Sequence, residues 1–279
     1  MNPKTPQIPV NLETLKVTLD QHVAHIEINR PEKANALSET VWREIKLAFE
    51  WVDATPQARV AVLSGNGKHF CSGIDITMLM GMRDRIKDEC EGRVREKLRR
   101  IILELQDTLS ALESCRKPVL AAIHGGCIGG GVDLVCAADM RYCSDDAYFS
   151  IKEIDIGMTA DVGTLQRLPK LIADGVVREL AYTGRKMFGP EAVQVGLANR
   201  SFADRETMLD EVMRIAASIA AKSPLAMRGT KEMILYSRDH SVRDSLNYVA
   251  TWNAAMLFSN DITEAMMASM QKREGVFKD

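Results

Sequence analysis

Three acids and two glycine-rich turns are the residues whose types and spacing suggest chemistry. The stretch GGCIGGGVDLV, Gly125 to Val135, sets five glycines into seven positions and follows them with a lone carboxylate, Asp133, among apolar residues. Glycine in ordered backbone carries an entropic cost, so such a cluster implies positive φ or something that approaches the backbone closely. The cluster has neither the G-x-G-x-x-G register nor the G-K-[ST] ending of the common phosphate loops. A strand, then glycines, then a helix N-terminus instead aims free N–H groups at a developing negative charge, as an oxyanion hole does. Close helix-to-strand packing is the competing explanation. A second strand-end glycine turn, SGID (Ser72 to Asp75), offers another N–H to the same point. Downstream, IKEIDIGMTADVGTLQRLPK (151–170) carries Glu153, Asp155 and Asp161, none with an obvious salt-bridge partner at helical spacing. Carboxylates beside glycine turns, without a His or a nucleophilic Ser or Cys arrangement, point to proton transfer rather than covalent catalysis.

These residues need a scaffold, and the hydrophobic pattern supplies one. Residues 15–29 alternate around an Asp20-Gln21 turn, which predicts a β-hairpin. Ser38 is placed to cap a helix running to about Val52. ARVAVLSGNG and KPVLAAIH read as buried strands, and the second feeds the glycine cluster, with a short helix starting near Gly131. Apolar residues from Ile86 to Leu112, in steps of mostly three and four, predict one long amphipathic helix. DMRYCS and AYFSI read as short strands. Helices follow around Gly163–Leu171, Gly175–Thr183, Pro190–Leu197, Arg205–Lys222 and Pro224–Arg238, with two more to the end. Mixed β/α units therefore give way to helices alone, with a boundary near Asp204 separating residues 1–204 from 205–279.

The net charge of −2 carries no basic excess, which argues against nucleic acid as a partner. The six cysteines include no C-x-x-C pair and the five histidines no H-E-x-x-H, so no metal site is expected and the thiols read as reduced. No apolar run reaches membrane-spanning length. The opening MNPKTPQIPVNLETL carries neither a signal-peptide core nor an Arg-rich transit pattern, and the chain ends in FKD rather than S-K-L. A cytoplasmic protein is expected on those grounds. His69 and His124 read as structural residues, Asp139 with Arg141 as a buried structural pair, and Asp155 as a structural hydrogen-bonding residue. Helix capping at Gly163 competes with catalysis as the role of Asp161.

AAIHGGCIGGGVDLVCAADMRYC and KHFCSGID resemble the two signature segments of the enoyl-CoA hydratase/isomerase (crotonase) family. Within it, CIGGGVDLV, the 151–170 segment and YSRDHSVRDSLNYVATWN are similar to the Δ3,5-Δ2,4-dienoyl-CoA isomerases, from about residue 14 to the C-terminus. The resemblance implies an α/β fold, a spiral of β/β/α units followed by a helical C-terminal oligomerisation region, assembled as trimers or dimers of trimers. It implies an acyl-CoA substrate, with coenzyme A as part of that substrate and no separate cofactor. The positions matching the oxyanion donors are Ile74 and Gly130, and a side chain at Gly130 is expected to collide with the thioester. Losing one such donor typically costs about 3–4 kcal/mol of transition-state stabilisation.

Hydratases of the family carry glutamate at the positions matching Asp133 and Glu153 and a small residue at the position matching Asp161. The aspartate at 133 and the extra acid at 161 are departures shared with the dienoyl isomerases. Moving a 3,5-diene to a 2,4-diene removes a proton at C2 and adds one at C6. The resemblance thus implies Glu153 as the C2 base, Asp161 as the C6 acid and Asp133 as an orienting or polarising group. Coenzyme A is expected along Lys33, Ala34, Ser72 and Gly73, mostly through backbone, with Lys272 reaching the nucleotide phosphates of a neighbouring subunit. A hydratase, or another acyl-CoA isomerase on the same fold, is the alternative.

Overall fold

The structure is a computed structural model that describes residues 12–279. Most of the N-terminal stretch on which the absence of a leader was expected lies outside the described residues.

Among the described residues nine strands, β1 (Leu15–Asp20), β2 (Val23–Ile28), β3 (Val60–Gly65), β4 (Val119–Ile123), β5 (Gly126–Ile128), β6 (Met140–Ser144), β7 (Tyr148–Ser150), β8 (Met187–Phe188) and β9 (Arg200–Phe202), form two sheets. The larger has the order β1-β2-β3-β4-β6-β9 and is parallel except for the β1–β2 hairpin. That hairpin turns at Gln21 and His22, both at positive φ, one residue later than expected. A two-residue loop with positive φ at both positions matches the twist of paired strands. The smaller sheet, β5-β7-β8, holds the glycine cluster.

Every residue of β3 and β4 is buried, as in a sheet covered on both faces. Alternate residues serve the two faces. Ala61, Leu63, Ala121 and Ile123 join the core beneath α1 (Glu39–Ala54), α2 (Ile76–Arg85), α3 (Glu91–Ser114), α4 (Gly130–Ala137), α5 (Thr164–Arg167), α6 (Asp174–Thr183) and α7 (Gly189–Gln194). Val60, Val62, Leu120 and Ala122 pack instead on α8 (Arg205–Ala220), through Met208, Val212, Ala216 and Ala220. That four-residue spacing is one stripe of a helix. So α8 lies on the sheet although it falls within 205–279. The chain continues through α9 (Pro224–Ser237), α10 (Val242–Met256) and α11 (Asn260–Gln271).

Ser38 caps α1, accepting from the Val41 N–H at 3.4 Å. The long amphipathic helix expected from Ile86 is α3, and it starts only at Glu91. Asp88 accepts from the Cys90 N–H, Arg93 and Lys97, which fixes a turn ahead of it. The preceding α2, ITMLMGMRDR, was not expected, because its residues bury no continuous stripe.

Asp139 and Arg141 are not a pair. Arg141 donates to the carbonyls of Leu197, Ala138 and Val135, whereas Asp139 accepts from Lys231 at 2.7 Å and from the Val119 N–H at 2.7 Å. Three carbonyls occupy the Arg141 guanidinium, and α9 supplies the cation for Asp139. Lys231, on α9, also donates to the Lys117 carbonyl at 3.1 Å, fastening α9 to the start of β4. Lys231→Met leaves Asp139 without its cation. Because Asp139 is partly exposed, the expected loss is about 2–3 kcal/mol, below the full cost of orphaning a buried charge. Urea unfolding of the variant measures it, and a change under about 0.5 kcal/mol contradicts the fastening role.

Candidate active site

The two glycine turns meet. Main-chain bonds from Phe70 N to His124 O (2.9 Å), Cys71 N to Gly126 O (3.0 Å) and Ile128 N to Cys71 O (2.9 Å) bind the 70–71 segment along β5. The Leu37 N–H donates to Gly73 O at 2.8 Å and the Asp75 N–H to Leu37 O at 3.1 Å, which straps the second turn from outside. A Cβ at Gly131 would lie 3.0 Å from Cys71 Cβ and 3.1 Å from its carbonyl oxygen, and one at Gly73 would lie 3.7 Å from Gly130 N. Larger residues would therefore push the turns apart. The N–H groups of Ile74 and Gly130 have no acceptor among the described residues, and Gly130 opens α4.

Between the turns lies a cavity of about 600 Å³. Trp42, Ile74, Leu105, Ile128 and Val162 supply apolar wall, and Asp133, Glu153 and Asp161 all line it. Three acids spread over residues 133–161 thus reach one space.

Each acid has a different environment. Asp133 is 1% exposed and accepts from the Thr164 N–H at 2.5 Å. It therefore caps α5, whose N-cap residue Gly163 has no side chain to do so. Burial outweighs that bond and raises the Asp133 carboxyl to about 6. The capping role considered for Asp161 thus belongs to Asp133. Asp161 is held through its backbone, with Gln106 on α3 donating to its carbonyl at 2.6 Å, and burial raises its carboxyl above the usual range.

Glu153 opens a 3-10 turn, Glu153–Ile156, closed by Gly157 at φ 73. Its Oε2 is buried with no hydrogen-bond partner. Burial first, then the neighbouring charges of Asp133 and Asp161, raise this carboxyl to about 7. The close approach implied by the glycine cluster occurs here. Gly129 sits at φ 51 and ψ −117, and a Cβ on it would lie 2.9 Å from Glu153 Oε1.

Gly130 is also confined by packing: a Cβ there would meet Leu37 Cδ1 at 2.8 Å and the ring of Trp42, itself part of the cavity wall. Lys33, Ser72 and Gly73 line the cavity, whereas Ala34 does not. Its carbonyl accepts from the Ser72 N–H at 3.1 Å and so shapes the rim. Lys272 is exposed at the C-terminal end of α11 and lines no part of this cavity. Asp155 is exposed and paired with Lys152, three residues back along the 3-10 turn, a partner that sequence spacing had not made obvious. His69 Nδ1 bonds the Gly126 N–H at 3.0 Å and His124 Nε2 the Gly67 carbonyl at 2.8 Å, both bracing loops. Sequence reasoning passed over Gln106, for which no motif exists, and Gly129, which the glycine count alone had flagged.

Residues 18–279 match the enoyl-CoA hydratase/isomerase family. The chain belongs to that family. It is 48% identical over 264 residues to the mitochondrial Δ(3,5)-Δ(2,4)-dienoyl-CoA isomerase of Homo sapiens, covering 94% of this chain and 80% of that protein. Identity to the peroxisomal Δ(3,5)-Δ(2,4)-dienoyl-CoA isomerase of Arabidopsis thaliana is also 48%, over 95% of this chain and 96% of the relative. A crystal structure of an enoyl-CoA hydratase/isomerase from Marinobacter aquaeolei superposes with a TM-score of 0.87 at 27% identity, covering 94% of this chain and 98% of the other. The α/β crotonase fold is therefore as expected. The cytoplasmic location is not: these two relatives are mitochondrial and peroxisomal. Targeting signals are read by receptors and leave no mark on a folded core, so composition and fold could not supply the compartment.

Gly129→Ala is expected to fold, since one strained residue costs about 1–3 kcal/mol. Displacing Glu153 should nonetheless lower kcat about 10²-fold, the usual price of a misplaced group. Steady-state kinetics alongside a thermal melt checks this, and a folded variant with unchanged kcat contradicts the packing of Gly129 on Glu153 as a functional contact.

Proposed function

We propose that this chain isomerises 3,5-dienoyl-CoA thioesters to 2,4-dienoyl-CoA, in fatty-acid β-oxidation. The observation that carries the reading is the presence of Asp161 in the same cavity as Glu153, with the capping role taken by Asp133. The relatives named as dienoyl-CoA isomerases support it. The thioester oxygen lies between the free N–H groups of Ile74 and Gly130, where the N-terminus of α4 favours enolate charge. Glu153 removes the C2 proton. Its unpartnered oxygen and raised pKa suit a base that accepts a proton near neutral pH. The enolate spreads along the conjugated chain, Asp161 delivers a proton at C6, and the thioester carbonyl re-forms. Asp133 orients the site by fixing the start of α5, two residues past the Asp161–Val162 segment.

Coenzyme A follows the rim at Lys33, Ala34, Ser72 and Gly73, with Lys272 of a neighbouring subunit reaching its nucleotide phosphates. A homo-oligomer, trimer or dimer of trimers, is consistent with the apolar side chains that the C-terminal helices leave exposed, among them Val242, Leu246, Phe258, Met266 and Met270. Residues 1–204 carry the site, and the helical region beyond carries the assembly.

Two substitutions separate the roles. Glu153→Gln should stop exchange of C2 hydrogen with solvent. Asp161→Asn should retain that exchange while isomerisation, followed by the ultraviolet absorbance of the conjugated product, falls about 10²–10⁴-fold. An Asp161→Asn enzyme with an unaltered isomerisation rate would return the chain to the general hydratase/isomerase class.

Exchange in Asp161→Asn also isolates the Glu153 titration. The base must be ionised, so exchange is slow at acid pH and rises to a plateau as pH passes about 7, or slightly below once the Asp161 charge is gone. A profile flat from pH 5 to pH 8 excludes Glu153 as the base.

A further inference from the structure

A second cavity, of about 360 Å³, shares Asp161 and Val162 with the first. Its walls differ in kind: Gln106, Ser110, Glu113, Gln166 and Arg167 make it polar. Ser110 and Gln166 are exposed at its edge, so it opens to solvent. A polar space of this size holds several waters.

No side chain here is a ready proton carrier. Glu113 accepts from Arg167 at 2.8 Å and from Arg238. Burial pushes its carboxyl up, but the two guanidinium groups outweigh that and hold it below its ordinary value. Asp239 is paired with Lys170. Three cations, Arg167, Lys170 and Arg238, thus share this wall with two carboxylates, Glu113 and Asp239, besides Asp161.

The proposed isomerisation creates a need that this cavity meets. In each turnover the C2–H bond breaks with its proton passing to Glu153, and the C6–H bond forms with the proton of Asp161. The enzyme is left with Glu153 protonated and Asp161 ionised, and both must be reversed before the next turnover. Glu153 Oε2 has no hydrogen-bond partner among the described residues through which to pass its proton to Asp161. Resting on that reading, we infer that the second cavity is the route by which solvent returns a proton to Asp161. Gln106 is a positioning residue, holding the Asp161 carbonyl at the wall between the two spaces. Glu153 gives its proton to water in the first cavity. One proton enters and one departs, so no other reactant is required.

The test plugs the second cavity at its exposed edge with Ser110→Leu/Gln166→Leu, leaving both acids in place. With enzyme in excess, a single turnover uses the proton already on Asp161 and should stay within about 2-fold of the parent, whereas steady-state kcat should fall about 10-fold or more, because resetting becomes limiting. A plugged variant with unchanged steady-state kcat overturns the route, and so does one in which both rates fall together.

A second measurement needs no variant. Wild-type enzyme turning over C2-deuterated 3,5-dienoyl-CoA in ordinary water should place solvent hydrogen at C6. Substrate deuterium at C6 shows direct passage from Glu153 to Asp161 and also overturns the route. Wild-type protein that fails to convert 3,5-dienoyl-CoA at all sinks the isomerase reading itself, a result separable from either of these.

Discussion

A carboxylate with one buried oxygen that has no hydrogen-bond partner, pressed against bare backbone inside an apolar cavity, is the constraint around which this site is built. Removing a carboxylate from water without compensation favours its neutral form. Glu153 is in that position, its Oε2 buried and its Oε1 against Gly129. The neighbours follow from it. Gly129 must lack a Cβ and hold φ 51 with ψ −117, a combination that a side chain resists. Gly131 must let α4 approach the Cys71 turn, or the wall opposite Glu153 would open. The glycine cluster thus serves a carboxylate and two packing contacts as well as the carbonyl proposed to bind there.

The second constraint is the division of labour among the acids. A short helix such as α5 leaves its first N–H groups unsatisfied. With glycine at its N-cap, the acceptor comes from Asp133 across the fold. One bond thereby ties α4 to α5 and fixes where the Asp161–Val162 segment ends. Asp133 is thus engaged in the cap, while Asp161 lines the cavity. Two carboxyls with raised pKa values near a third acid are what a site needs to hold one proton while accepting another.

Much of this was readable from sequence because it rests on periodicity. The runs VAVLSG and VLAAI could only be strands buried on both faces, and the helices after residue 204 showed their stripes. Acids near glycine turns pointed to proton chemistry, and the family resemblance implied the roles proposed for them. What escaped was tertiary. Asp133 capping α5 spans 31 residues, and Asp139 meets Lys231 across 92, so neither leaves a local pattern. Helix α2 escaped because most of its apolar residues stay accessible, which erases the amphipathic signal. The crowding of Gly130 by Leu37 and Trp42 is tertiary as well. The cellular compartment left no physical trace in the core.

The claim on which the account rests is that burial and two neighbouring acids hold Glu153 in its neutral form up to about pH 7. Difference infrared spectroscopy of the carboxyl band, wild type against Glu153→Gln across pH 4 to 9, reports that titration directly. The account predicts a midpoint near 7, shifted downward in Asp133→Asn as that charge is removed. A midpoint near 4.5, the ordinary glutamate value, and unmoved by Asp133→Asn, would contradict it.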